Sequence, residues 1–175
     1  DTDTYNLPFI KYMLPGEQVS VYHVLKRPVC IYTQLGNPKG ITSIKDFARN
    51  DVTIVNRERG SGIRVLIDSL MYINGILPSQ VNGYNRIVNS HLAAASIISR
   101  GGADCSIGTQ TAAFQFNNIE KIFLRYEEYD IVLRKADEEL PEVKVLLEIL
   151  ASERFREEVG AMGGYDVTDM GKKIL

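Results

Sequence analysis

Hydrophobic positions along the chain follow two alternating spacings, one typical of buried strands and the other typical of amphipathic helices. An apolar run at 51–55 predicts a short buried strand. The helix spacing i, i+3, i+4, i+7 follows it in Ile63, Leu66, Ile67 and Leu70. From Ile41 onward such segments alternate with short links, which predicts βαβ units and a largely parallel sheet.

Three predicted strands each run into a predicted helix start. The strands are expected at 51–55, 84–88 and 103–107, and the helix starts at Ser61/Gly62, Ser90/His91 and Gly108/Thr109. In a parallel sheet these starts lie along the same carboxyl edge. The Gly108-Thr109 pair is predicted to form the turn before the third helix.

The two ends of the chain differ from this middle part. Two strands at 19–25 and 29–33 are predicted on either side of Lys26-Arg27-Pro28, and two more at 122–124 and 129–133. Two amphipathic helices follow, the first beginning at Pro141 and the second ending at Gly163-Gly164.

The run 56–64 is the strongest candidate for a binding site, because it joins a strand to a helix start through small residues. Such a junction points several backbone N–H groups at one spot, where the helix dipole also favours an anion. Arg57, Arg59 and Arg64 crowd the same place and carry forked donors suited to an oxyanion. Neither a Walker loop nor a dinucleotide fingerprint fits the run. The alternative is a tight turn with solvated arginines.

The predicted ligand-binding set combines this run with the two later helix starts. Its members are Arg57, Arg59, Gly60, Ser61, Gly62, Arg64, Ser90, His91, Gly108 and Thr109. Several helix N-termini facing one crevice would supply enough donors to strip an oxyanion of water. The simpler alternative is that Ser90 and Thr109 only cap their own helices.

Composition limits the remaining possibilities. The 175 residues are 45% hydrophobic, which predicts one globular domain or two small lobes. A net charge of -2 argues against direct nucleic-acid contact, and no apolar run is long enough for a membrane helix. Cys30 and Cys105 are predicted to be buried thiols, and with only His23 and His91 no metal-ligand spacing is present.

Several phrases of the sequence together resemble the periplasmic-binding-protein-like domain found beside molybdopterin biosynthesis enzymes and in molybdate-responsive regulators. They are Tyr5-Asn6-Leu7-Pro8-Phe9, Gly36-Asn37-Pro38-Lys39-Gly40-Ile41, Val55-Asn56-Arg57, Gly60-Ser61-Gly62 with Arg64, Ser90-His91, Gly102-Ala103-Asp104, Tyr129-Asp130-Ile131-Val132 and Gly163-Gly164-Tyr165-Asp166-Val167. They cover nearly the whole chain in order. Ile63 stands where the family usually has threonine, which removes one hydroxyl from the implied ligand set.

The resemblance implies an α/β, type II binding-protein fold with mixed, mostly parallel sheets and two lobes that close on a small ligand. Residues 36–124 would form the second lobe, and 1–35 with 125–175 the first. Family members carry two further βα units ahead of the Tyr-Asn-Leu-Pro phrase, so the first lobe is expected to be incomplete. An exposed sheet edge there would favour a homo-oligomer.

The leading functional hypothesis is a module that binds or senses a small oxyanion without a cofactor. By resemblance the ligand would be molybdate, tungstate or an anion related to the molybdenum cofactor, and the parent protein would carry a fused enzymatic or DNA-binding domain. An enzyme of the lyase or dehydratase type is the alternative, with Glu58, His91 and Asp104 as acids or bases near the carboxyl edge. A scaffold that has lost its ligand is a third reading. Reduced cysteines favour the cytoplasm.

Overall fold

The computed structural model describes residues 6–175, so Tyr5 of the Tyr-Asn-Leu-Pro phrase lies outside the described residues. The helices are α1 (Leu7–Met13), α2 (Gly62–Ile73), α3 (His91–Ser99), α4 (Gln110–Ala113), α5 (Pro141–Ala151) and α6 (Glu153–Ala161). The strands are β1 (Val19–Gln34), β2 (Asn56–Arg57), β3 (Ile87–Val88), β4 (Cys105–Thr109) and β5 (Ile119–Arg134). Short 3-10 helices occupy Ile44–Ala48, Pro78–Gln80 and Lys135–Asp137.

The chain divides into two compact units. Unit 1 comprises residues 1–27 and 126–175, and unit 2 comprises residues 28–125. Strands β1 and β5 each contribute to both units, because the divisions fall within them.

Unit 2 is built on parallel strand pairing at its centre. Strands β2 and β3 pair in parallel, with Asn56 opposite Ile87. An isolated parallel bridge joins Ile54 to Cys105, the first residue of β4. Strand β4 then pairs antiparallel with β1, which also pairs with β5. The predicted α/β architecture with mixed sheets is confirmed.

The sheet of unit 2 separates two hydrophobic clusters. Ile54 packs with Ile67 of α2 in one cluster, whereas its neighbour Val55 packs with Ile98 of α3 in the other. Successive strand residues point to opposite faces of a sheet. Helices α2 and α3 therefore cover opposite faces of the same sheet.

In unit 1 the first half of β1 lies between β5 and the C-terminal segment of the chain. The Val21 amide donates to the Leu175 carbonyl at 3.1 Å, and the Ile174 amide donates to the Val21 carbonyl at 2.8 Å. Lys26 and Asp166 exchange two backbone hydrogen bonds of 2.9 Å. The C-terminal residues therefore act as an added edge for β1.

A polar cluster ties this C-terminal segment to the chain near β5. Lys173 donates to Glu138 at 2.8 Å, and the Tyr22 hydroxyl donates to the same carboxylate at 2.5 Å. Hydrogen bonds from Lys173, Tyr22 and Ser20 lower the pKa of Glu138 to about 2.

We expect Glu138 to make the stability of the protein depend on pH in the acid range. Its folded-state pKa lies below the usual value of about 4.3, so its contribution is complete above about pH 5 and is lost as the pH falls towards 2. Urea unfolding between pH 2 and 6 should show a shallower loss for Glu138→Gln than for wild type. Glu157→Gln, at an exposed position of α6, should leave the pH profile unchanged. Equal profiles for wild type and Glu138→Gln would contradict this assignment.

The structure corrects two strand predictions at the ends of the chain. Segments 19–25 and 29–33 belong to one continuous strand β1, and segments 122–124 and 129–133 belong to β5. The reason lies at Pro28, which has no N–H group. The partner on that side of β1 changes there, from Asp166 opposite Lys26 to Thr109 opposite Val29. The proline therefore falls where one partner ends and the other begins.

Two predictions within the βα units are also corrected. Gly108 and Thr109 are not a turn but the last residues of β4, paired with Cys30 and Val29 of β1. The strand predicted at 51–55 is reduced to isolated bridges, and regular pairing begins only at Asn56. In both cases pairing with a distant strand decides the local conformation.

Candidate anion-binding site

The candidate site lies in unit 2, where β2, β3 and β4 end and α2, α3 and α4 begin. The Glu58 amide donates to the Val88 carbonyl at 3.2 Å, which aligns the ends of β2 and β3. The parallel bridge between Ile54 and Cys105 aligns β4 with them. These pairings place the three helix starts along the same edge of the sheet.

The hydroxyls of Ser61 and Ser90 cap the helices that follow them. Ser61 Oγ accepts from the Arg64 amide at 3.2 Å and donates to the Glu58 carbonyl at 3.0 Å. Ser90 Oγ accepts from the Ala93 amide at 3.0 Å. Each serine satisfies one first-turn amide, and helix geometry leaves the other first-turn amides without intrahelical acceptors. The donors that such a site offers to an anion are therefore mainly backbone N–H groups.

The third helix start contributes less than the other two. Thr109 is buried, and its hydroxyl accepts from Thr111 at 3.1 Å instead of capping α4. Gly108 has a packing role, because a Cβ atom there would lie 2.4 Å from the Tyr32 hydroxyl oxygen. Tyr32 donates a hydrogen bond to the Thr109 carbonyl. Gly108 and Thr109 thus hold β4 against β1.

Arg57 lies at the end of β2 with its side chain almost fully buried. Its Nε and Nη2 atoms each donate to one oxygen of the Glu58 carboxylate, both at 2.9 Å. Within the described residues, its Nη1 atom is buried and has no hydrogen-bond partner. A buried donor without an acceptor costs roughly 1–3 kcal/mol. Arg57 therefore offers one strong unused donor.

Arg64 is buried at the start of α2 and is held by several neighbours. Its Nε donates to both Asp68 oxygens at 3.0 and 2.9 Å, and its Nη1 donates to the Arg57 carbonyl at 3.2 Å. The guanidinium lies 4.3 Å from the centre of the Tyr84 ring. Burial opposes the charge, but bonds with Tyr84 and Asp68 outweigh it and raise the pKa of Arg64. The residue stabilises the loop that carries the site.

Two carboxylates offset the charges of the buried arginines. Glu58 accompanies Arg57, and Asp68 accompanies Arg64. Hydrogen bonding from Arg57 is the main cause that lowers the pKa of Glu58, and the charge of His91 at the start of α3 adds to it. Arg59 is exposed beside Gly60, whose φ is 90°. Arg59 and the helix N-termini therefore contribute positive potential at this edge.

The structure adds two residues that the sequence reasoning did not select, Asp68 and Tyr84. Asp68 was visible in principle as the i+4 partner of Arg64 on a helix. Tyr84 reaches the same network from another segment, and its hydroxyl donates to Asp68 at 2.8 Å. No local signal marked that contact.

Asp104, expected near the carboxyl edge, lies elsewhere. It precedes β4, whereas the helix starts follow the ends of the strands. Its carboxylate accepts from the Thr53 amide at 2.7 Å. Asp104 therefore ties the segment before β2 to the beginning of β4 and lies at the opposite end of β4 from the candidate site.

A second polar cluster lies in unit 1, where His23, Glu128 and Asp130 bring potential metal-ligating atoms within 4.8 Å of one another. These three side chains already make hydrogen bonds or ion pairs within the protein. His23 Nδ1 lies 2.8 Å from Asp130, Asn6 donates to the other Asp130 oxygen at 2.7 Å, and Lys26 lies 3.6 Å from Glu128. The buried carboxylate of Asp130 is thus stabilised by hydrogen bonds from its protein neighbours.

Comparison with known proteins identifies the fold family. Residues 1–151 match the PBP superfamily domain. The chain belongs to the PBP superfamily. The match covers most of both compact units and confirms the type II binding-protein-like fold.

The relatives of this PBP superfamily member include a longer protein. The whole chain is 43% identical over 175 residues to the uncharacterized protein YvgK of Bacillus subtilis (strain 168), but it spans only 56% of that protein's length. Among the described residues no helix is both long and apolar enough to cross a membrane.

Solved structures with the same fold are more distant in sequence. The PEB3 protein of Campylobacter jejuni with bound L-phospholactate has a TM-score of 0.57 at 21% identity, with 83% of this chain and 68% of PEB3 covered. The substrate-binding domain of a putative molybdenum ABC transporter from Clostridium difficile has a TM-score of 0.59 at 13% identity, with 91% and 71% covered. At these identities the likeness concerns the fold alone. PBP-like domains bind small ligands, and this chain has the architecture of a ligand-binding domain.

Proposed function

We propose that the chain is a binding or sensing module for a small oxyanion, held at the edge of unit 2 where α2 and α3 begin. The observation that carries the proposal is the buried Nη1 of Arg57, which lacks an acceptor within the described residues. It lies on the last residue of β2, next to the aligned starts of both helices. A ligand oxygen would satisfy this donor and the first-turn amides together.

The charge balance of this edge supports a ligand recognised by fixed donors. Glu58 and Asp68 offset the two buried guanidiniums, so no large surplus of positive charge remains. Amides held by capped helices have fixed positions, and a ring of such donors selects an anion by its radius and shape.

We propose molybdate or tungstate, or a molybdenum-cofactor-related anion, as the ligand. This choice rests on the resemblance of the sequence phrases to domains found with molybdopterin enzymes and molybdate-responsive regulators. One structural relative is described as a domain of a putative molybdenum transporter, and another was solved with an anionic phosphoester. A fused enzymatic or DNA-binding domain and a cytoplasmic location belong to the same proposal.

An enzymatic role on the same fold is less well supported. Asp104 lies at the wrong end of its strand, and the Glu58 carboxylate is held by Arg57 with a lowered pKa. A lowered pKa makes a carboxylic acid a poor proton donor near neutral pH. Of the three candidate acids or bases, His91 alone remains at the helix starts without one of these objections. The arrangement therefore supports binding better than proton transfer.

Calorimetric titration with molybdate, tungstate, sulfate and phosphate at fixed salt tests the proposal. We expect saturable binding of molybdate or tungstate and at least about tenfold weaker binding by Arg57→Lys, because lysine keeps the charge but loses the guanidinium fork. Arg100→Lys, at the far end of α3, is the matched control and should bind like wild type. The proposal fails if no oxyanion gives a saturable heat, a result that would favour a scaffold role. It also fails if Arg57→Lys and Arg100→Lys bind the oxyanion with equal affinity.

A further inference from the structure

We propose that Glu58 is an intramolecular competitor for the anion site, whose carboxylate occupies the two Arg57 donors that an external oxyanion would otherwise take together with Nη1. This inference rests on the proposed function of the edge of unit 2. It adds a threshold to that function: an anion gains the other two donors of Arg57, beside Nη1, only if it displaces the carboxylate.

The contact between the two side chains has the geometry of anion recognition. Arg57 Nε donates to Glu58 Oε2, and Nη2 donates to Oε1, each at 2.9 Å. Two parallel N–H to oxygen bonds on one guanidinium are the pattern that also binds external carboxylates and phosphoryl groups. Glu58 therefore occupies the donors that a bound ligand would share with Nη1.

Burial shows which member of the pair can leave. The Arg57 side chain is 7% exposed, whereas that of Glu58 is 39% exposed. A partly solvated carboxylate regains water when it rotates away, while a buried guanidinium left behind needs a new acceptor. Displacement of Glu58 by a ligand thus keeps the buried charge of Arg57 paired.

The backbone of Glu58 is fixed, so only its side chain has to move when a ligand replaces it. The Glu58 amide is fixed to the Val88 carbonyl, and the Glu58 carbonyl accepts from Ser61 Oγ. Rotation about the side-chain bonds of Glu58 is therefore enough to release the fork.

Competition by Glu58 limits which kinds of anion can bind. A halide is a single acceptor atom, so it cannot supply the two separate oxygens that Glu58 gives to the fork and also reach Nη1 and the helix amides. An anion with several acceptor oxygens can take both arms and also reach Nη1 and the helix amides. The site is therefore expected to favour tetrahedral oxyanions and phosphoryl or carboxylate groups over monatomic anions.

The test is to compare wild type and Glu58→Gln by calorimetry with molybdate, phosphate and chloride as probes. Glutamine keeps the shape of the side chain but removes the anion. If Glu58 holds the fork about nine-tenths of the time, its loss should tighten oxyanion binding about tenfold. Glu148→Gln makes the same change in net charge at an exposed position of α5 and should leave the affinity unchanged.

The outcomes separate this inference from the proposed function. Tighter oxyanion binding by Glu58→Gln than by wild type, or binding by that variant alone, supports the inference that Glu58 competes with the ligand. If wild type binds the oxyanion, and Arg57→Lys weakens this binding but Glu58→Gln does not tighten it, Glu58 is not a competitor. The proposed function then still holds. Absence of binding by every variant overturns both. Thermal melting of each variant confirms that the titrated protein is folded.

Discussion

Alanine at position 83 is expected to destabilise unit 2 by about 4 kcal/mol or more, an unusually large loss for one methyl group. Gly83 has a φ of 83°, and a Cβ atom would lie 2.1 Å from the carbonyl oxygen of Ile54. That backbone cannot easily move, because the Ile54 amide donates to the Asn82 carbonyl at 2.8 Å in the adjoining bridge. Urea unfolding of wild type and Gly83→Ala would measure the loss.

Gly75→Ala is the matched control, since it separates the collision from the backbone strain. Gly75 has a φ of 68°, but a Cβ atom there meets nothing within 4 Å. The left-handed conformation alone costs roughly 1–2 kcal/mol. Equal losses for the two variants would show that the backbone at Gly83 relaxes around the new methyl group.

Arg64→Ala is expected to lower the free energy of unfolding by about 3 kcal/mol, because it removes a buried guanidinium and its network. Asp68 loses the Nε donor that its two oxygens share, the Arg57 carbonyl loses a donor, and the Tyr84 ring loses a stacked cation. Urea unfolding would measure the difference from wild type.

The exposed Arg59 supplies the control. Arg59→Ala should change the free energy of unfolding by no more than about 0.5 kcal/mol, as is usual at the surface. Loss of oxyanion binding in Arg64→Ala would therefore not identify a ligand contact by itself. If Arg64→Ala unfolds like wild type and yet no longer binds oxyanions, Arg64 contacts the ligand and its structural role has been overestimated.

Helix starts were predictable from the sequence because their causes are local. Ser61 and Ser90 cap α2 and α3 at the positions that the residue pattern indicates. A side chain that accepts from an amide two or three residues ahead needs no distant partner. The same reasoning located the edge of the sheet, since each strand runs directly into its helix.

Strand limits were less predictable because distant partners decide them. Gly108 and Thr109 have the composition of a turn, but pairing with Cys30 and Val29 extends β4 through them. Pro28 suggested a break in β1, but it falls where the strand changes partners. Neither outcome is visible in the local sequence.

In the candidate site, too, the positions of the residues were predictable from the sequence but their interaction partners were not. The sequence places Arg57 and Arg64 beside the helix start, but it does not show that each is buried against its own carboxylate. The pair of Arg57 with Glu58 joins adjacent residues, and the choice between a salt bridge and solvated charges depends on burial by the rest of unit 2. The charge available to a ligand therefore had to be read from the structure.

The pairing of β1 also determines the order in which the chain can complete its structure during synthesis. Its second half pairs with β4, so the contacts of unit 2 can all form once residue 125 has left the ribosome. Its first half can pair with β5 on one edge, but the other edge is completed only by Asp166 and by the residues up to Leu175 that hydrogen-bond with Val21. Contacts between residues so far apart in sequence form slowly. One edge of the N-terminal half of β1 therefore stays unpaired in the nascent chain until translation has passed residue 175, and chaperones have that interval in which to bind it.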